Sequence, residues 1–247
     1  MTPLAVAVVV PAHDEAELLD ACLGALTAAV RAARAARPGL EIATVVVLDA
    51  CTDASDAVAR RWPVETIAID AHRVGTARRL GVESALTALA ARGDIPAAAI
   101  WIATTDADST VPENWLAHQL DHARGGADIV LGTVRPNFAD LTPQHVEHWQ
   151  DTHVRGMPPG NVHGANLGLR ASTYFAAGGF DDLDEHEDAE LVRAAVGAGA
   201  VVRASDEHEV VTSGRFAGRT PGGYAAFVRD VHERLQHEAG GRVDTGR

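Results

Sequence analysis

Apolar residues follow two rhythms along this chain of 247 residues. A short unbroken apolar run at 4–10 suits a strand buried on both faces, and the mainly apolar stretches 42–48, 64–69, 97–103 and 127–131 read as further strands. Between them the period becomes helical. Leu18, Leu19, Cys22, Leu23, Leu26, Val30 and Ala33 recur along one face after the first run, with Asp14 and Glu17 as a capping box to open that helix. A short helix to about Arg61, a longer one over 76–91 and a third over 112–124, capped by Thr110 and Glu113, continue the alternation. Strands alternating with helices predict an α/β fold: a mostly parallel central sheet with right-handed crossovers, covered on both faces.

Past residue 132 the alternation stops. The pattern there predicts a helix near 141–155, a Pro/Gly loop at 156–160, and a strand-like piece, short helix and double-Gly turn over 163–180. An acidic lead-in to a helix over 184–200, short strands at 201–202 and 210–211 and a closing helix over 223–236 follow, with frayed final residues. The expected organisation is a single domain in two halves, 1–132 and 133–247, within the size range of one large core.

The net charge of −13 argues against nucleic acid or an anionic membrane as partner, because neutralising phosphates needs clustered cations. All 21 basic residues are Arg. Without Lys there is no Schiff-base chemistry and no Walker-type phosphate loop. Cys22 and Cys51 are too few for a disulfide framework and lack metal-ligand spacing. No apolar run reaches membrane-spanning length and the N-terminus carries no leader pattern, so no integral membrane segment and a cytoplasmic, reducing setting are expected.

In parallel sheets ligands bind beyond the carboxyl ends of the strands. Three polar clusters fall there: PAHDE (11–15), DACTD (49–53) and TTDADS (104–109). Asp106 and Asp108 sit two residues apart, and like charges that close repel unless a cation lies between them; a simple turn is the other reading of the same residues. A polyanionic ligand of so acidic a chain needs a local device, such as a metal, to hold it.

Together VVVPAHDEAELLDACLGAL, VVVLDACTDAS, RVGTARRLGVESAL, TTDADSTVPENWL, GANLGLR with GGF, and HEDAEL resemble the family 2 glycosyltransferases of the GT-A fold, the nucleotide-diphospho-sugar transferases, over roughly residues 5–215. The resemblance implies that 1–132 is the nucleotide-sugar-binding half and 133–247 the acceptor-binding and catalytic half. It implies that Pro11, His13 and Glu15 line the nucleoside pocket, that Asp49 accepts a hydrogen bond from the base, and that Arg78 also lies at the nucleotide. Where the family often has two Asp, this chain has Leu48 and Asp49, so one carboxylate is left for that contact. Asp106 would face the ribose or the metal's water shell and Asp108 would ligate Mg²⁺ or Mn²⁺ directly, with His208 a further ligand. Asp188 would be the catalytic base, Glu187 would orient it or the acceptor, and Gly164, Ala165 and Asn166 would border the sugar and acceptor.

The activity so implied is a metal-dependent, inverting hexosyl transfer from a nucleotide-diphospho-sugar, a UDP-sugar favoured, to a hydroxyl acceptor. The chain lacks a long apolar helix and the QxxRW signature of processive membrane members, so a single transfer to a soluble or peripheral acceptor is expected. Two competing readings are a zinc-dependent sugar N-deacetylase and a non-catalytic nucleotide-sugar-binding partner protein. For the first, PAHDE is close to AHPDDE, and HVEH (145–148) puts two His on one helical face.

Overall fold

The computed structural model describes residues 1–183, 186–216, 218 and 224–241. The expected acidic lead-in at 184–185, the first residue of the closing helix at 223 and the last residues, 242–247, lie outside them. The elements run β1 (Ala5–Ala12), α1 (Leu19–Ala36), β2 (Glu41–Asp49), α2 (Ser55–Ala59), β3 (Glu65–Ile69), α3 (Val74–Ala90), β4 (Ile100–Thr104), β5 (Ser109–Thr110) and α4 (Trp115–Arg124). They continue with β6 (Ile129–Pro136), α5 (Pro143–Thr152), β7 (Leu167–Arg170), α6 (Ala171–Ala176), α7 (Glu187–Gly197), β8 (Val202–Thr212) and α8 (Tyr224–Gly241).

One sheet contains every described strand, in the order β3-β2-β1-β4-β7-β6-β8-β5. The pairs β1–β2, β1–β4, β2–β3 and β6–β8 are parallel; β4–β7, β6–β7 and β5–β8 are antiparallel. Successive residues of β1 feed two separate cores. Val6, Val8 and Val10 pack towards α1 and α4, whereas Ala5, Ala7 and Val9 pack towards α3, α6 and α7. Helix α3 lies so close to the sheet that a Cβ at Gly81 would stand 2.4 Å from a methyl of Val9 and 2.8 Å from one of Val47. That approach requires glycine.

The topology fixes where the chemistry gathers. The carboxyl ends of β1, β2 and β4 share one edge, and because β7 is antiparallel its beginning falls there too, with Leu167 opposite Thr104. The 3₁₀ turn Gly164–Asn166 therefore meets the end of β4, and Thr104 Oγ1 donates to the Gly164 carbonyl at 2.6 Å.

Several sequence expectations are corrected. Asp14 does not cap α1, which begins at Leu19 with no side-chain cap. Its backbone is left-handed (φ 51°), and its carboxylate accepts from the Thr52 and Asp53 backbone N–H groups at 2.6 and 3.1 Å. Thr110 does not cap α4 either, because it lies in β5 opposite Val211, and the helix starts at Trp115. Residues 97–99 form a 3₁₀ turn ahead of β4. The two short strands expected at 201–202 and 210–211 are one strand of 11 residues. Only one face of β8 is well covered, by Ser205, His208, Val210 and Thr212, so it shows no continuous apolar run. The expected division at 132/133 falls inside β6. No described helix is long and apolar enough to cross a membrane.

Candidate active site

At the end of β1 the His13 Nδ1–H donates to the Asp49 carbonyl at 2.6 Å, so that ring nitrogen carries the proton. Pro11, half-buried, lies opposite Val47, one residue before the β1–β2 pairing ends at Ala12 and Leu48. Glu15 is buried, its backbone N–H held by Ser55 Oγ at 3.0 Å. Its carboxylate receives the Arg215 guanidinium in a two-pronged pair at 2.6 and 3.0 Å. Asp49 is spoken for differently than expected. Its oxygens accept the backbone N–H groups of Ala71, His72 and Arg73 at 2.7, 2.9 and 2.9 Å. A carboxylate holding three backbone donors pins the loop between β3 and α3, a structural duty not expected from the sequence.

Beyond β4, Asp106 accepts from Arg78 Nη2 at 2.6 Å. Arg78 is 5% exposed and its other terminal nitrogen donates to the buried Glu187. One guanidinium thus joins the end of β4 to the first turn of α7. Glu187 is buried against Arg78, which fixes its position beside Asp188. Asp108 accepts from Thr212 Oγ1 at 3.2 Å and lies 3.0 Å from Arg215 Nη2. Burial, then the neighbouring charges of Asp106 and Glu15, raises the Asp108 carboxyl to about 6, against the pull of Arg215 and Thr212.

On the other side, Asp188 Oδ2 accepts the Gly164 N–H at 2.6 Å and Oδ1 accepts the Ala189 N–H at 2.7 Å. The residue is half-buried, and each oxygen keeps a second lone pair. Gly164 has no room for a side chain, since a Cβ would lie 2.2 Å from Arg78 Nη2. Ala165 is buried beside it. His163 sits close enough to feel Asp188 and Asp106, though burial outweighs both and lowers its pKa.

Two further expectations are corrected. Asn166 is 1% exposed; its amide donates to the Thr133 and His208 carbonyls and accepts from Trp115 Nε1, at 2.9, 3.0 and 2.9 Å. It braces the turn and offers nothing to a sugar. His208 is fully buried, stacked 6.2 Å from His118 and tilted against His122 at 6.5 Å, and four strand residues before Thr212, on the order of 13 Å along β8. It does not join Asp108. Arg215 and Thr212 went unnoticed in the sequence, because only the pairing of β5 with β8 brings them to residues more than a hundred positions earlier.

The donor set suits a hard divalent cation: Asp106 and Asp108 supply carboxylate oxygen, and the cluster already draws a guanidinium into contact with Asp108. Among the described residues, the one group of three or more possible ligands gathered within 4.8 Å is Asp14, Cys51 and Asp53. The two Asp of the β4 end would therefore share a metal with oxygens of the ligand and water.

A parallel sheet extended by antiparallel strands, with carboxylates gathered at its strand ends, is the architecture of the GT-A fold. The chain belongs to the family Glycosyl transferase family 2, whose profile matches residues 7–188. Its fold is similar to that of S. aureus TarS 1–349 (TM-score 0.58, 14% identity, 85% of this chain and 60% of that one). It is also similar to the mannosyltransferase PcManGT from Pyrobaculum calidifontis, solved in complex with GDP-Man and Mn²⁺ (TM-score 0.57, 20% identity, 99% and 65%). The chain thus spans about three-fifths of the length of these two structures. A search of curated protein sequences gave no match.

Proposed function

We propose that this glycosyltransferase moves a hexosyl group from a nucleotide-diphospho-sugar, a UDP-sugar favoured, to the hydroxyl of a soluble or peripheral acceptor, once per encounter and with inversion at the anomeric carbon. The observation that carries the reading is Arg78, which touches Asp106 with one nitrogen and Glu187 with the other. It sets the acidic strand end that suits a diphosphate's metal directly beside the residue next to Asp188. Two carboxylate functions thereby stand together, contributed by different halves of the chain.

In this reading 1–132 holds the donor, with Pro11 and His13 at the nucleoside, and 133–247 receives the acceptor. Asp108, with Asp106, would hold Mg²⁺ or Mn²⁺, which when bound neutralises charge on the departing diphosphate. That help matters in a chain of net charge −13 with no Lys. Asp188 accepts the proton of the attacking hydroxyl, held in aim by the Gly164 and Ala189 N–H groups. Glu187 and Arg78 fix the first turn of α7 and so the position of that carboxylate. Inversion follows when the hydroxyl attacks from the face opposite the diphosphate.

Asp188→Asn keeps the shape and removes the proton acceptor. It should leave donor binding intact while turnover falls by roughly 10²–10⁴. A thermal-shift panel of UDP-, GDP- and dTDP-sugars with and without Mn²⁺ supplies the donor, and NMR of the product supplies the anomeric configuration. Near-normal turnover in Asp188→Asn, or a product that retains configuration, would overturn the assignment.

The hydrolase alternative is disfavoured by the same geometry. His13 Nδ1 is used on the Asp49 carbonyl, and His145 is buried, with Nδ1 on Thr142 and its ring stacked 4.9 Å from His232.

A further inference from the structure

We infer that Arg215 holds the cation's place at Asp108 until a nucleotide diphosphate arrives, so that the divalent ion binds tightly only together with the nucleotide. The inference rests on the metal-dependent reading above and assigns that site its order of assembly. Three observations support it. The Arg215 guanidinium is shared between Asp108, at 3.0 Å, and the buried Glu15, which it grips with two nitrogens. Its backbone is tied to the same spot: the Ser213 N–H donates to the Asp108 carbonyl at 3.1 Å, and the Arg215 N–H donates to Ser213 Oγ at 3.3 Å. The Asp108 oxygen not facing Arg215 is taken by the hydroxyls of Thr212 and Ser109, at 3.2 and 3.3 Å.

A dication arriving alone would meet a carboxylate already paired with a cation. It would also stand within a few ångströms of that positive charge, where the partial burial of Asp108 and Arg215 weakens solvent screening of the repulsion. A diphosphate changes the balance. Its oxygens give the guanidinium a new two-pronged partner and give the metal its missing ligands, so one ligand releases Asp108 and completes the metal's shell. Metal and nucleotide then bind with positive coupling, and by linkage each raises the other's affinity by the same factor. A cation held in readiness by the protein also keeps the carboxylates from repelling one another while the site waits for its donor.

The test is a Mn²⁺ titration read by loss of the free-ion EPR signal, on the wild-type protein and on Arg215→Gln, each with and without UDP. Wild-type affinity for Mn²⁺ should rise at least tenfold when UDP is added. Arg215→Gln should bind Mn²⁺ alone at least tenfold more tightly than wild type and gain less from UDP. Equal affinity of the two proteins for Mn²⁺ alone overturns the inference. Should the variant not fold, the wild-type comparison still decides, because Mn²⁺ binding that is measurable but indifferent to UDP is equally fatal. If neither protein binds Mn²⁺ even with UDP present, the metal-dependent reading fails, which is a different result from failure of the latch.

Discussion

Acidification should loosen the seam between α4 and β8, and His208 sets the size of the effect. The ring is fully buried, neither nitrogen has a hydrogen-bond partner among the described residues, and His118 and His122 of α4 lie against it. Burial first, then the charges those two neighbours acquire, lowers its pKa from 6.5 to about 4, while Asp206 pulls weakly the other way. The folded-state pKa is depressed, so the unfolded chain takes up the proton first. Stability is therefore complete above about pH 6.5 and falls steadily down to about pH 4. At pH 5 the unfolded state has gained about 1.5 pH units of proton binding that the native state lacks, a loss of about 2 kcal/mol at roughly 1.4 kcal/mol per unit. Against a typical total of roughly 5–15 kcal/mol, that is easily measured. The cleanest assay is urea unfolding of wild type and His208→Leu at pH 7.5 and pH 5. Other titrating groups affect both proteins alike, so the difference between them isolates this ring. Wild type should lose about 2 kcal/mol more than the variant between the two conditions. An equal loss in both would show that the ring finds a proton-accepting partner when charged, and would refute the argument.

Three further outcomes are expected. Asp108→Ala should abolish the Mn²⁺-dependent part of the UDP-induced thermal shift without unfolding the protein; a full metal-dependent shift in the variant would remove Asp108 from the metal site. Asp49→Ala strips three backbone N–H groups of their acceptor and should cost about 1–3 kcal/mol in chemical denaturation, with an unchanged midpoint as the contrary result. The 153–163 segment, in which Val154 and Met157 are exposed, should be cut by protease in the free protein and protected by UDP plus Mn²⁺ if it closes over a bound donor; equal cleavage in both states would deny it that role.

How much of this could be read from the chain depends on whether the evidence was local. Strands β1, β2 and β4 were legible because both of their faces are buried, which writes a continuous apolar run. Strand β8 was not, since Arg203 and Glu207 are exposed, Asp206 and Glu209 half-buried, and the apolar run is interrupted. The acidic strand ends and the Gly164 turn were placed correctly, yet particular duties were misread wherever a side chain serves a distant backbone. Asp49 holds residues more than twenty positions away, and Asn166 reaches Thr133, His208 and Trp115. Arg215 left no local sign at all. A cation in contact with two carboxylates is invisible until β5 and β8 are paired.

Gly164 has a consequence for anyone recombining this protein with its relatives. Its carbonyl is held by Thr104 of β4, its N–H holds Asp188 at the start of α7, and the space where its side chain would be is filled by the Arg78 guanidinium from α3. Three segments widely separated in sequence are therefore registered to one another through a single residue. A chimera that takes residues up to about 132 from one parent and the remainder from another inherits two different registers unless Arg78, Thr104, Gly164 and the Glu187–Asp188 pair travel as a set. Segments can be exchanged around this joint, but not across it.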